Sequence, residues 1–202
     1  ITGQYGRRVV GMGSLDYYGG ERPDELTCPT CEDRDTCVEY QDFPDRPGNK
    51  MNQCAFRREV DVEDNSSITM ELDGGIKATY TQCHYTPDYC RNYTFIGTEG
   101  RVENLNDSSQ VIVKLRDKSN RWTNLADRTY EVKPAAGGHG GADPLICRDF
   151  IDMIAEGKQP LATPLAGRMS VAVGCAATRS IRNGSVPVEI EEVPEGLREK
   201  VF

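Results

Sequence analysis

The chain has 202 residues, 37% of them apolar and 28% charged, and a formal net charge of −8. That length suits one ordinary domain, and the composition is too mixed for a disordered or collagen-like chain. No apolar run nears the roughly 20 residues that span a bilayer, and the acidic balance argues against a basic nucleic-acid-binding face.

The first residue is Ile1 rather than Met, which suggests a processed form or an excised piece whose targeting segment is not legible. Residues 1–10 alternate loosely and predict a strand. Residues 11–58 form an irregular stretch rich in Gly, Pro and Asp that shows no period. A structureless segment of that length inside a domain needs a role or a cross-link to order it.

Clean β patterning follows in REVDVED, SITMEL and, after the Asp73-Gly74-Gly75 turn signal, IKATYTQ. YTFIGTEGRVENL predicts a second hairpin turning between Gly97 and Gly100. VIVKLR and DRTYEVK are further strands, with Val111, Val113 and Leu115 on one face. The period then turns helical. Asp143-Pro144 predicts a helix start, Ile146, Phe150, Met153 and Ile154 its apolar stripe, and Gly157 its end. Thr163-Pro164 opens a second helix rich in small residues that stops at Asn183-Gly184. SVPVEI reads as a last strand, and EEVPEGLREK as a polar tail. About seven strands on short turns, then two helices, predict an α+β fold: one open, mostly antiparallel sheet with the two main helices on one face.

Eight cysteines make up about 4% of the chain, too sparse for a disulfide-stapled mini-protein. Cys28, Cys31 and Cys37 are crowded in C-x2-C-x5-C. Loop thiols at that spacing suit a structural zinc, which takes four soft ligands in a tetrahedron. A disulfide and free thiols are the other readings, and a fourth ligand would come from Cys54, Cys83, His84 or Cys90. Cys147 and Cys175 lie in the helical patterns and read as core thiols. Four N-x-[ST] sequons, at Asn65, Asn92, Asn106 and Asn183, are weak evidence for secretion.

In GGHGGAD, residues 137–143, glycines flank His139 at a helix entrance. Free N–H groups there can hold an anion, but Asp143 would cap them and oppose a phosphate. The segment is not a G-x-G-x-x-G turn after a strand, so it does not read as a dinucleotide site. His139 is a candidate for a hydrogen bond to a substrate, beside the plainer reading of a loop histidine. Tyr5, Tyr17 and Tyr18 are candidates for lining a pocket or for packing.

The stretch from GGHGGAD through SVPVEI resembles the C-terminal part of the glucose–fructose oxidoreductase / inositol dehydrogenase (Gfo/Idh/MocA) family of NAD(P)-dependent enzymes. GSLDYY, CPTCEDRDTC and TFIGTEGRVENL fit the same family, so the resemblance covers nearly the whole chain. It implies a dihydrodipicolinate-reductase-like C-terminal domain, residues 1–202, that binds substrate and mediates oligomerisation. NAD(P) would be held by a separate N-terminal Rossmann domain. That domain's glycine fingerprint, an E-K-P-type lysine segment and a D-x-x-x-H pair have no counterpart in this sequence, so no catalytic residue is assigned. The resemblance further implies His139 as a substrate-pocket residue and Cys90, in YCRNYTFIGTEG, as first choice for the fourth zinc ligand with Cys28, Cys31 and Cys37; Cys54 is second. The expected whole is a cytoplasmic bacterial oxidoreductase for a sugar or cyclitol, a dimer or tetramer joined through the sheet face, with no nucleic-acid or membrane partner. The alternatives are an NAD-dependent glycoside hydrolase of the same architecture and a non-enzymatic, zinc-stapled interaction module.

Overall fold

The computed structural model describes residues 2–43, 50–104, 109–118, 125–133 and 136–193. The Asn106 sequon and most of the polar tail lie outside these residues. The chain divides into two compact units, Ile1–Tyr85 with Ala162–Phe202, and Thr86–Leu161.

The first unit carries a four-stranded antiparallel sheet in the order β3-β2-β1-β8. The strands are β1 (Gly6–Ser14), β2 (Asn65–Leu72), β3 (Lys77–Cys83) and β8 (Val188–Glu189). The Asp73-Gly74-Gly75 signal is borne out. Gly74 and Gly75 turn at φ 69° and 79°, and Leu72 N–H donates to Ile76 O at 2.8 Å. Strand pairing puts Val9 opposite Met70 and Gly11 opposite Ile68. Helix α2 (Pro164–Arg182) lies on that face of the sheet and closes a core of Val9, Met169, Ala176, Ala177, Ile190 and Val193. Ile68 and Met70 pack against the same core. The opposite face carries Arg8, Ser67, Thr69 and Glu71, the half-polar alternation of an antiparallel sheet with one face in water.

The predicted start of α2 is also found. Thr163 caps it, its Oγ1 accepting the Ala166 N–H at 3.1 Å, and Pro164 follows at the first helical position. The small residues allow a close approach to β1. A Cβ on Gly11 would stand 2.9 Å from the Ile181 side chain. β1 runs on through GMGS to Ser14, past the expected end at residue 10. The helix is not buried all round. Val171 and Cys175 face outward, so Cys175 is an exposed thiol rather than a core one.

The second unit holds a four-stranded antiparallel sheet, β4-β5-β6-β7. Its strands are β4 (Tyr93–Ile96), β5 (Gly100–Asn104), β6 (Gln110–Leu115) and β7 (Arg128–Glu131). The Gly97–Gly100 turn closes as predicted, with Gly97 N–H donating to Gly100 O at 2.8 Å. Register puts Tyr93, Phe95, Val102, Val111, Val113, Leu115 and Tyr130 on one face. Helix α1 (Gly138–Glu156) follows and ends at Gly157 in the left-handed conformation, as expected.

The α+β class stands, with two corrections. The single sheet is two sheets, one in each unit. Helix α2 covers the first sheet, while the expected apolar stripe of α1, Ile146, Phe150 and Ile154, is exposed, as is Cys147. REVDVED is not a strand either, because its last residue, Asp64, is engaged in holding a loop. No helix among the described residues is long and apolar enough to cross a membrane.

Candidate functional site

The glycine-rich segment at the start of α1 is a left-handed turn that breaks helical geometry at residues 139–141. Gly137 has φ 115°, His139 φ 51°, Gly140 φ 65° and Gly141 φ 89°. Non-glycine residues rarely adopt such angles, so a histidine held there is itself a sign of local constraint. The constraint is visible. Asp143 accepts from or pairs with His139 Nδ1 through both carboxylate oxygens, at 2.8 and 3.0 Å. The turn leaves space for that carboxylate only because residue 138 is glycine; a Cβ there would sit against Asp143 Oδ2. The His139 side chain is 84% exposed, so Nε2 remains available to a ligand. A carboxylate on Nδ1 fixes ring orientation and favours the tautomer that carries its proton on Nδ1, leaving Nε2 as an acceptor. Asp143 was expected to cap the helix; its observed work is to orient the imidazole. The same negative charge disfavours a phosphate at this helix entrance, and no dinucleotide-dependent step is derived from these residues.

A second site is built in the first unit, where GSLDYY leaves β1. Asp64 is buried, and its carboxylate accepts the backbone N–H groups of Asp16, Tyr17 and Tyr18 at 2.8–2.9 Å. Burial pushes its pKa up, but the three N–H donors outweigh that and hold the carboxyl below its ordinary value. Tyr17 and Tyr18 pack with Phe56 and Tyr85 at ring-centroid distances of 5.0–6.2 Å. The aromatic pair is therefore a packing group. Tyr5, by contrast, lines an open cavity of about 300 Å³ with Arg7, Asp73, Leu165 and Met169. Sequence reasoning missed Asp64. Its only signal was an acidic residue standing immediately before a strand.

The crowded thiols also lie in the first unit. Cys28, Cys31 and Cys37 line one small cavity, and the fourth thiol lining it is Cys54. Cys90, the expected fourth ligand, belongs to the second unit and is exposed. All eight cysteines are free. Among the described residues, no three His, Cys, Asp or Glu side chains are already arranged to hold a metal ion. His84, another candidate, instead places Nε2 2.8 Å from Gln82 Nε2.

A family model described as "Oxidoreductase family, C-terminal alpha/beta domain" matches residues 31–190. The chain belongs to this Gfo/Idh/MocA oxidoreductase family. It is 26% identical to the "Putative oxidoreductase YteT" of Bacillus subtilis (strain 168), over 98% of this chain and 52% of that protein. It thus spans about half the length of the curated relative it matches. Three solved structures share the fold. The oxidoreductase domain protein from Kribbella flavida gives a TM-score of 0.60 at 16% identity, over 95% of this chain and 47% of that one. Levoglucosan dehydrogenase, in complex with NADH and L-sorbose, gives 0.63 at 15% identity, over 94% and 46%. The aldose-aldose oxidoreductase from Caulobacter crescentus gives 0.54 at 17% identity, over 93% and 42%.

Proposed function

We propose that this chain is the substrate-facing and oligomerising domain of an NAD(P)-dependent oxidoreductase that acts on a sugar or cyclitol. The observation that carries the reading is the His139–Asp143 pair, an oriented imidazole with a free Nε2 on a constrained glycine turn. Such a group suits a substrate hydroxyl, as hydrogen-bond acceptor or proton acceptor. Family membership and the sugar-active neighbours support the substrate class. The nicotinamide would be bound by another domain and would take the hydride; the part assigned to this chain is to bind and orient the alcohol. Self-association belongs to the same proposal. The β4–β7 sheet leaves Tyr93, Phe95, Leu115 and Tyr130 well exposed on one face, which a second copy would bury.

The test uses the chain joined to its nicotinamide-binding domain, with aldoses, ketoses, inositols and aryl glycosides as substrates. Expected is NAD(P)H formation with a sugar or cyclitol. His139→Ala should lower kcat/KM by roughly 10²–10⁴-fold, as loss of a proton-transfer group does, with NADH affinity unchanged. Aglycone release from aryl glycosides without net NAD(P) reduction would replace this reading with the glycosidase one.

A further inference from the structure

The segment between β1 and β2 is anchored at its two ends by Asp64 and by the packing of Tyr17 and Tyr18 on Phe56. Among its described residues, the buried apolar side chains are Cys28 and Cys54, both thiols. Two such side chains bury little surface around the turns that carry the cysteines. What the segment does have is a convergence. CPT forms a single 3₁₀ turn, Cys28–Thr30, in which Cys31 N–H donates to Cys28 O at 3.1 Å, so the two cysteines bracket one tight bend. Cys37 closes the next turn, its N–H donating to Asp33 O at 2.9 Å. Cys54 arrives on a separate strand segment. Thr27 and Gln53 form an antiparallel bridge, and Cys54 N–H donates to Leu26 O at 2.9 Å, which sets Cys54 beside Cys28.

The four thiols line a cavity of about 20 Å³, room for one water-sized body. Arg22 and Arg34 line it too, and Arg22 Nη1 donates to Cys31 Sγ at 3.3 Å. A space of atomic size lined by four cysteines, two arginines and Glu39 is poorly explained as a hydrophobic core. It has what a tetrathiolate ion centre needs: four soft donors from two chain segments, one of them already accepting a guanidinium hydrogen bond.

We propose that Cys28, Cys31, Cys37 and Cys54 bind one structural Zn²⁺, with Cys54 rather than Cys90 as the fourth ligand. The thiols stand around the space without yet meeting at ligand distance. Binding draws them inward as each gives up its proton to solvent, so zinc uptake releases protons and orders the loop. Four thiolates leave no position for water or substrate, which makes the ion a staple and not a catalyst.

The test is metal analysis of the intact chain, purified without chelator from zinc-supplemented medium. About one zinc per chain is expected for the wild type, for Cys90→Ser and for Cys83→Ser, and less than about 0.2 for Cys31→Ser. Because Cys54→Ser risks misfolding, the fourth ligand is read from X-ray absorption of Cys90→Ser and Cys83→Ser, where four sulfurs at ~2.3 Å are expected. Cobalt loading of the wild type should give the intense thiolate charge-transfer bands of a tetrahedral sulfur site. Zinc-free wild type that takes up no cobalt would overturn the proposal. So would loss of zinc in Cys90→Ser, which would return the fourth position to that residue.

Discussion

Asp64 shows how much one buried carboxylate can decide. It ends the irregular segment and fixes the GSLDYY loop by accepting three successive backbone N–H groups. Its folded pKa lies below the unfolded value of about 3.9, so the stabilisation it brings is present at neutral pH and is lost as pH falls below about 4 toward the folded value. Asp64→Asn should destabilise the first unit by on the order of 1–3 kcal/mol near pH 7, because an amide cannot satisfy all three donors. The difference from wild type should shrink in acid. Urea unfolding near neutral pH and at successively lower pH below about 4 checks both the size and its decline. His139 is the counterpart in the second unit: the glycines around it were legible in the sequence, whereas the partner that orients it was read as a helix cap. Asp143 lies one helical turn from His139, and only the left-handed backbone at 139–141 turns the imidazole onto the carboxylate instead of leaving Asp143 for the helix N–H groups.

At the scale of elements, helix α2 and strand β1 meet through small residues. Ser180 is fully buried between them, accepting the Gly11 N–H at 3.0 Å and donating to Val186 O at 2.6 Å. It ties the strand, the helix and the run into β8 together. Ser180→Ala removes a hydroxyl and leaves the buried Gly11 N–H and the part-buried Val186 C=O without it, and is expected to cost about 1–3 kcal/mol. For a chain of this size that corresponds to a fall in Tm of several degrees, about 2–4 °C per kcal/mol, measurable by calorimetry. The composition of this helix, with its Ala, Gly and Ser, did announce close packing. It did not announce which residues faced inward, because small apolar residues are spread around the helix and only Met169, Ala176, Ala177 and Ser180 are buried.

For the whole molecule, the two sheets differ in what they leave uncovered. The first sheet presents Arg8, Glu71 and Lys77 on its open face, linked in ion pairs at 2.6–2.8 Å, beside the exposed Met12. The second leaves an aromatic and aliphatic face in solvent, the face to which the proposed self-association is assigned. Phe95→Glu should convert an oligomeric wild-type chain to monomer in sedimentation at high micromolar concentration, since it places a charge in the apolar patch that the proposed interface would bury. A wild-type chain that sediments as a clean monomer would remove oligomerisation from the proposed function.

Local signals determined most elements of this protein. Gly-Gly at a hairpin, Thr-Pro before a helix, Gly after one, and period-two alternation each act within a few residues, where backbone conformation is set by sterics and nearest hydrogen bonds. The family resemblance likewise rested on local motifs, and the family stands. The tertiary structure alone decided matters that depend on separation along the chain. It split the strands into two sheets, exposed the α1 stripe, assigned Asp64 to backbone donors 46–48 residues away, and brought Cys54 to the thiol cluster. Hydrophobic periodicity says that a face must be covered, but not by what. A cysteine's spacing gives its near neighbours, while the partner from a distant segment is chosen by how the chain folds back.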